Sequence, residues 1–311
     1  MLPRNVEQIQ TMRIENAILS TAFRYFAAVA RAGSIRAAAR ELNIASSAIN
    51  RQILMLEEAI GIALFERTGR ALRLNQAGEL LLAQITATGR EYEDTLAAIE
   101  ALKGLRSGTV RVATVESASV ELLPAFLASF NAAYPGISVE LQVTGSDAVT
   151  ARVRAREADI GFTFNPASLE GLDVAYENAM QIGAIVSPDH PLAGHKTISL
   201  TECLAHPYAW PAHGLSLRTA LDIARQQLER SAPPLLQANS LRVMAALARQ
   251  GRCVAFQTEV GIEQHLQTGA LKFLPLTDEV LPPDRFMLVR QAGRSPSLAA
   301  EAFFEHVIEQ L

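Results

Sequence analysis

The chain carries few of the features that announce secretion, a membrane or a metal. Of its 311 residues only two are cysteines, Cys203 and Cys253, at no spacing that holds a metal. They read as reduced core thiols of a cytoplasmic protein. No apolar run approaches the roughly 20 residues a membrane helix needs, so no membrane partner is expected. The first residues, MLPRNVEQIQTMRIENA, have no apolar centre, which argues against a secretory signal. Charged residues make up 19%, too few for a disordered polyelectrolyte, while 49% hydrophobic residues suffice for real cores. Solenoid repeats and low-complexity tracts are absent. So are a phosphate loop, a nucleophile elbow and a metal cluster: His213-Gly214-Leu215-Ser216 lacks the trailing glycine of an esterase elbow. The expectation is a chain of two or three domains that needs no cofactor and is not an enzyme.

What charge there is lies unevenly. Residues 21–75 hold eight arginines against four glutamates, a net +4, which leaves −8 on the rest of a chain whose formal charge is −4. A basic head on an acidic body suits a nucleic-acid-binding module joined to something that should not bind nucleic acid.

The head has the local pattern of a compact helical unit. FRYFAAVARAGS reads as a helix with Phe23, Phe26 and Ala30 on one face and Gly33 at its end. Ser34 is placed to cap the next helix, IRAAARELN, and a turn follows at Asn43–Ile44. A third helix runs from about Ser46 to Ala59. At 100° per residue Ala48, Ile49, Ile53 and Leu56 gather on one side, and Ser47, Asn50, Arg51 and Leu54 on the other. ALFERTGRALRLN then reads as a basic hairpin, with Arg67, Arg70 and Arg73 around a turn at Thr68–Gly69. Asn75 caps a long helix from about Gln76 to Lys103. Its seam, Leu81, Ile85, Thr88, Tyr92, Thr95, Ile99 and Leu102, steps by four and three in a heptad pattern. The short head looks unable to cover a seam of that length, so a second copy of the helix is expected to do so.

After a hinge-like linker at Gly104–Gly108 the pattern changes to strand, helix, strand, helix, strand: TVRVATV, a helix through Leu123, Phe126, Leu127 and Phe130, ISVELQV, DAVTARVRARE and ADIGFTF. That order implies parallel strands with right-handed crossovers. Alternation resumes at AMQIGAIVS and continues to AFFEHVIEQL.

Residues 23–78 resemble the DNA-binding domain of the LysR-type transcriptional regulators almost position by position. The matches are Ala32-Gly33-Ser34, Ala38-Ala39, Leu42, Ile49, Arg51, Ile53, Leu56-Glu57, Gly61, Leu64-Phe65, Arg67, Arg70, Leu74 and Ala77-Gly78. Residues 107–311 are similar, more weakly, to the family's effector domain. The landmarks there are Leu123-Pro124, Tyr134-Pro135-Gly136, Asp159-Ile160-Gly161, His190-Pro191-Leu192 and Gly269-Ala270-Leu271. The resemblance implies an α/β multidomain chain: a winged helix-turn-helix over residues 1–75 with an extension at 1–20, a linker and dimerisation helix over 76–106, and an effector-binding domain over 107–311. That last domain has the two-lobed α/β fold of periplasmic binding proteins, lobe I at about 107–181 and 285–311 and lobe II at about 182–284. Crossings between lobes are expected near Ile182 and near residues 275–287.

The implied function is regulation of transcription by a homodimer or homotetramer that binds double-stranded operator DNA and a small-molecule effector. The DNA-contacting set is Ser34, Ser46, Ser47, Asn50 and Arg51, with Arg67, Arg70 and Arg73 on the wing. Asn pairs bidentately with adenine and Arg with guanine, while wing arginines match phosphate oxygens. Many relatives carry Gln-Pro or Ser-Gln where this chain has Ser46-Ser47, and Ser where it has Asn50, so groove binding is implied while no base preference carries over. Ligands of such lobes bind at strand ends beside helix starts. That points to Glu116, Ser117, Ser146 and Phe164 in one lobe and His213, Ser216 and Gln257 in the other. Ser117 and Ser146 match effector-contacting positions of relatives, although plain helix capping suits both equally. Glu116 stands where relatives often have a small residue. It would repel an anionic effector unless it caps a helix away from the pocket. The competing reading is a C-terminal domain with enzymatic activity on a small metabolite, which turnover rather than saturable binding would mark.

Overall fold

The computed structural model describes residues 20–68, 71–102, 108–228, 232–293 and 296–311. The expected extension up to residue 19, the wing tip at Gly69 and Arg70 and most of the Gly104–Gly108 linker lie outside the described residues. The chain divides into two compact units, Met1–Ile99 and Glu100–Leu311.

In the first unit three helices, α1 (Thr21–Ala32), α2 (Ile35–Leu42) and α3 (Ser46–Ile60), precede a hairpin of β1 (Phe65–Thr68) and β2 (Ala71–Leu74) and a long helix α4 (Gln76–Leu102). Gly33 ends α1 in the left-handed region at φ 64°, and its carbonyl accepts from Leu72 N at 3.2 Å, which ties the hairpin to the helical turn. Ser34 occupies the N-cap position of α2, but its side chain makes no capping bond, contrary to the expectation. Alanines 28, 38 and 39 are buried against Val29, Ile49 and Ile53, so the three helices approach closely over side chains that lose little entropy.

A second cluster explains the start of α4. Phe26, Leu56, Leu64 and Ile85 are buried together, with Leu81 packed on them. The head therefore covers only the first two positions of the heptad seam, Leu81 and Ile85. The far end differs: Ile99 is 45% exposed. Asn75 locks the junction, its Oδ1 accepting from Gly78 N at 2.9 Å and its Nδ2 donating to Ala63 O at 2.8 Å.

The second unit contains two layered α/β bodies. Its first sheet runs in the order β4 (Ile137–Val143), β3 (Gly108–Thr114), β5 (Ile160–Phe164), β12 (Asp284–Gln291), β6 (Leu172–Met180). β3 is parallel to both β4 and β5, as the βαβ pattern requires, whereas β12 runs antiparallel to β5 and β6. Helices α5 (Glu116–Val120), α6 (Leu122–Ala133), α7 (Ser146–Arg154) and α12 (Leu298–Ile308) belong to this body. The second body holds the sheet β10 (Ala255–Gln257), β7 (Gly183–Val186), β11 (Lys272–Pro275) and a parallel pair β8 (Ala209–Pro211) and β9 (Leu236–Ala238). Its helices are α8 (Leu200–Leu204), α9 (Leu217–Gln226), α10 (Leu241–Arg249) and α11 (Glu263–Gln267). Each body has its own apolar core, one around Phe126, Phe130, Phe162 and Phe303, the other around Tyr208, Trp210 and Phe256. The chain passes between them after Met180 and returns between Pro275 and Asp284.

Gly78 yields a test with an unusual sign. A glycine inside a helix usually gains about 0.5–1 kcal/mol on replacement by alanine. Here a Cβ would run into the carbonyl oxygen of Leu64 and a methyl of Leu74. Gly78→Ala is expected to destabilise the head by about 1–3 kcal/mol. A urea titration showing equal or greater stability would refute this packing of α4.

Candidate functional site

The first site is the free face of α3. Its buried side carries Ile49, Ile53 and Leu56, while Ser46, Ser47, Asn50 and Arg51 are exposed and Leu54 is 56% exposed. The 3.6-residue period makes this division, because the apolar set recurs at three- and four-residue steps. None of Ser46, Ser47, Asn50 and Arg51 engages its side chain in a hydrogen bond or ion pair among the described residues. Three side-chain types that read base edges or phosphates thus stand free on one helix surface. Arg73 is exposed on β2 opposite Glu66 in the hairpin register. Arg70 and the Arg67 side chain lie outside the described residues. Ser34 is half-buried beside the α1–α2 turn.

The second site is a cavity of about 440 Å³ within the second unit, walled by both α/β bodies. It brings together Glu116, Ser117, Ser146 and Phe164 from one body and His213 and Ser216 from the other. Ser117 and Ser146 are buried, and neither hydroxyl caps its helix or makes another hydrogen bond. Their hydroxyls are therefore available to a ligand. Gln257 is not part of this wall. Successive strand residues face opposite ways, so Thr258 lines the cavity, while Gln257 borders a neighbouring one of about 230 Å³ beside Arg242, Arg249 and His265.

Glu116 reaches across to the second body. Its Oε1 accepts from Ser240 Oγ at 2.8 Å and its Oε2 from Leu241 N at 2.6 Å. The carboxylate thereby caps α10, a helix of the other body, where the N-terminal dipole favours negative charge. Glycines set how closely the bodies approach. A Cβ on Gly145 would meet Gly214 O at 3.0 Å, and one on Gly261, at φ +84°, would meet Ser117 O at 2.5 Å.

Asp284 was not anticipated. It opens β12 at the return crossing, is 2% exposed and lines the cavity. Asn165 Nδ2 donates to its Oδ1 at 2.8 Å and Ser216 Oγ to its Oδ2 at 2.9 Å. Burial pushes its carboxyl up to about 6, against hydrogen bonds from Ser216 and Asn165 that pull it down. The available hint was an acid placed directly after Pro282-Pro283 at the head of the apolar strand DRFMLVRQ.

A basic helical head that presents one free helix face, followed by a two-bodied α/β unit enclosing a polar cavity, defines a ligand-responsive DNA-binding regulator. Family comparison agrees for both parts. Residues 20–79 match the bacterial regulatory helix-turn-helix proteins of the lysR family, and residues 103–311 match the LysR substrate binding domain. The chain belongs to the LysR family and is a transcriptional regulator with a DNA-binding head and an effector domain. It is 29% identical over 290 residues to the RuBisCO operon transcriptional regulator of Allochromatium vinosum, covering 92% of this chain and 94% of that one. It is 31% identical over 212 residues to the HTH-type transcriptional activator CmpR of Synechocystis sp., covering 67% and 68%. Among solved structures, full-length CbnR complexed with its target DNA shares the fold, with a TM-score of 0.65, 20% identity and coverage of 93% and 99%.

The elevated Asp284 group makes stability depend on pH. Its folded value of about 6 lies above the ordinary 3.8, so the folded state holds the proton more tightly. The associated stabilisation is complete below 3.8 and is lost as pH rises through about 6. Asp284→Asn keeps the shape while removing the titration. Thermal melts from pH 4 to 7 are expected to show the variant gaining on the parent as pH rises. A constant difference across that range would contradict the assignment.

Proposed function

We propose that this chain reads operator DNA with Ser47, Asn50 and Arg51 in the major groove, steadied by Ser46, Ser34 and the arginines of the wing. The effector then binds in the cavity between the two α/β bodies. The observation that carries the first part is the free face of α3. Polar side chains at the start of a helix, uncommitted to their own protein and backed by a packed apolar side, suit base-edge recognition. For the second part the support is a cavity whose walls come from both bodies. A ligand there touches both at once, so it favours one angle between them over another. Only its unequal affinity for the two arrangements can drive a response.

We also read the regulator as an assembly of two or four copies paired through α4. Leu80 and Ile99 are large apolar residues left exposed on that helix in the single chain. Pairing would hide such side chains and hold two reading heads at a set spacing, as a two-fold operator requires. The reading as a regulator rather than an enzyme rests on the family and on its named relatives.

Two measurements test these assignments. Arg51→Ala is expected to cost about 1–3 kcal/mol on a specific site and to relax one base preference. Arg73→Ala should instead weaken specific and random DNA alike and flatten the salt dependence. Footprinting with unchanged affinity and preference in Arg51→Ala and Asn50→Ala would remove α3 as the reader. Sedimentation should find a dimer or larger species at micromolar concentration. A monomer that binds its operator with full affinity would end the pairing model.

A further inference from the structure

Two carboxylates face the cavity between the α/β bodies, and their situations differ. Glu116 is engaged at both oxygens by Ser240 and by the first amide of α10, at the positive end of a nine-residue helix. Asp284 has neutral donors only, Asn165 and Ser216, and no ion pair reaches it among the described residues. The cations nearest in sequence are occupied elsewhere. Arg285 forms a two-pronged pair with Glu177, at 2.6 and 2.5 Å. Arg218, close to Ser216 on α9, is paired with Asp222 and donates to Pro211 O at 2.6 Å. Among the described residues the cavity wall contains no lysine and no arginine. Its one imidazole, His213, is exposed.

A buried carboxylate without a counter-ion is costly, and the upward push on Asp284 to about 6 is that cost made visible. The fold does not need the charge. An asparagine could accept from Asn165 with its oxygen and donate to Ser216, whose hydroxyl can rotate to accept. An anion entering here would meet two carboxylates. Against them stand the helix starts at Ser146 and Leu217, each worth about half a positive charge, while the start of α10 is already taken by Glu116. The rest of the polar wall is neutral hydroxyls and the Asn239 amide, and Val143, Phe164 and Leu215 supply an apolar side.

Building on the reading of this cavity as the effector site, we infer that the effector carries a protonated amine that pairs with Asp284 and an apolar body that lies against Phe164 and Val143. The ammonium supplies the missing counter-ion, and its remaining protons can reach the free Ser117 and Ser146 hydroxyls. Binding then joins β12 at the crossing to helix starts of the first body. The cavity of about 440 Å³ holds a small-metabolite-sized ligand of this kind.

Matched probes on the full chain test the inference without requiring any variant to fold. Cyclohexylamine, cyclohexanol and cyclohexanecarboxylate, and the same triplet on a benzyl frame, would be titrated by calorimetry and thermal shift. The amines are expected to bind at least about tenfold more tightly than their alcohol and carboxylate partners, the advantage of a charge-assisted bond. Asp284→Asn should erase that preference, bringing the amines to within about twofold of their alcohol partners. Carboxylates binding better than amines, no amine binding at millimolar concentration, or an amine preference that survives Asp284→Asn would each overturn the amine assignment. Ser117→Ala separates the two levels of the claim. If it weakens whichever probe binds, the cavity stands as the effector site and only the ligand class falls. If no bound probe responds to Ser117→Ala or to Asp284→Asn, the cavity reading falls as well.

Discussion

The pairing of β12 with β6 is the constraint on which the ligand-binding half depends. The chain leaves the first sheet after Met180, builds the whole second body, and returns at Asp284 to lie antiparallel beside the strand it left. The register runs from Asp284 opposite Met180 to Gln291 opposite Leu172, so both crossings are held at one edge of one sheet. Two bodies joined side by side at a single edge can change their angle without breaking either core. The same pairing sets the first residue of β12 on the cavity wall, which is how a carboxylate comes to lie buried at the junction.

Among the described residues the bodies are bridged by hydrogen bonds, by the close approaches at Gly145 and Gly261, and by Val260, which packs into the first core. Glu116 to Ser240 and Leu241, Ser216 to Asp284, and Glu121 to Gln264 N are hydrogen bonds between groups that water could also satisfy. Bonds of this kind, made to carboxylates, contribute about 1.5–3 kcal/mol each when exchanged for water. The separate apolar cores are each far larger than this set. That imbalance fits a molecule whose parts are rigid and whose junction is adjustable. It is the physical requirement for a ligand of modest affinity to shift a population of shapes.

The head is organised on the opposite plan. Its helices share one alanine-lined core, and Gly78 allows α4 to pass directly over the Leu64 carbonyl. Asn75 and Glu57 then bind the two ends of the Ala63–Leu64 peptide group, Asn75 Nδ2 donating to Ala63 O and Glu57 Oε1 accepting from Leu64 N at 2.7 Å. The root of the long helix is thus fastened to the reading unit by packing and by backbone hydrogen bonds together. Within that unit, the orientation of α3 and the direction in which α4 sets out are coupled.

The chain alone determined the helical head, the division of α3 into a packed and a free face, the basic hairpin and the βαβ order of the first lobe. All of these arise from neighbours a few residues apart, where helical and strand periods make the pattern visible in one dimension. Ser117 and Ser146 were legible for the same reason, as helix starts after strands, and Phe164 as a strand end. That the helix capped by Glu116 belongs to the other body, the covering of Leu81 and Ile85 by the head, and the place of Asp284 were not. Asp284 bonds Ser216 across 68 residues and Asn165 across 119, and Glu116 reaches Leu241 across 125. No local period connects such partners. Only the return of β12 to its sheet and the approach of the two bodies bring those charges together, and so only the tertiary structure decided which groups line the cavity.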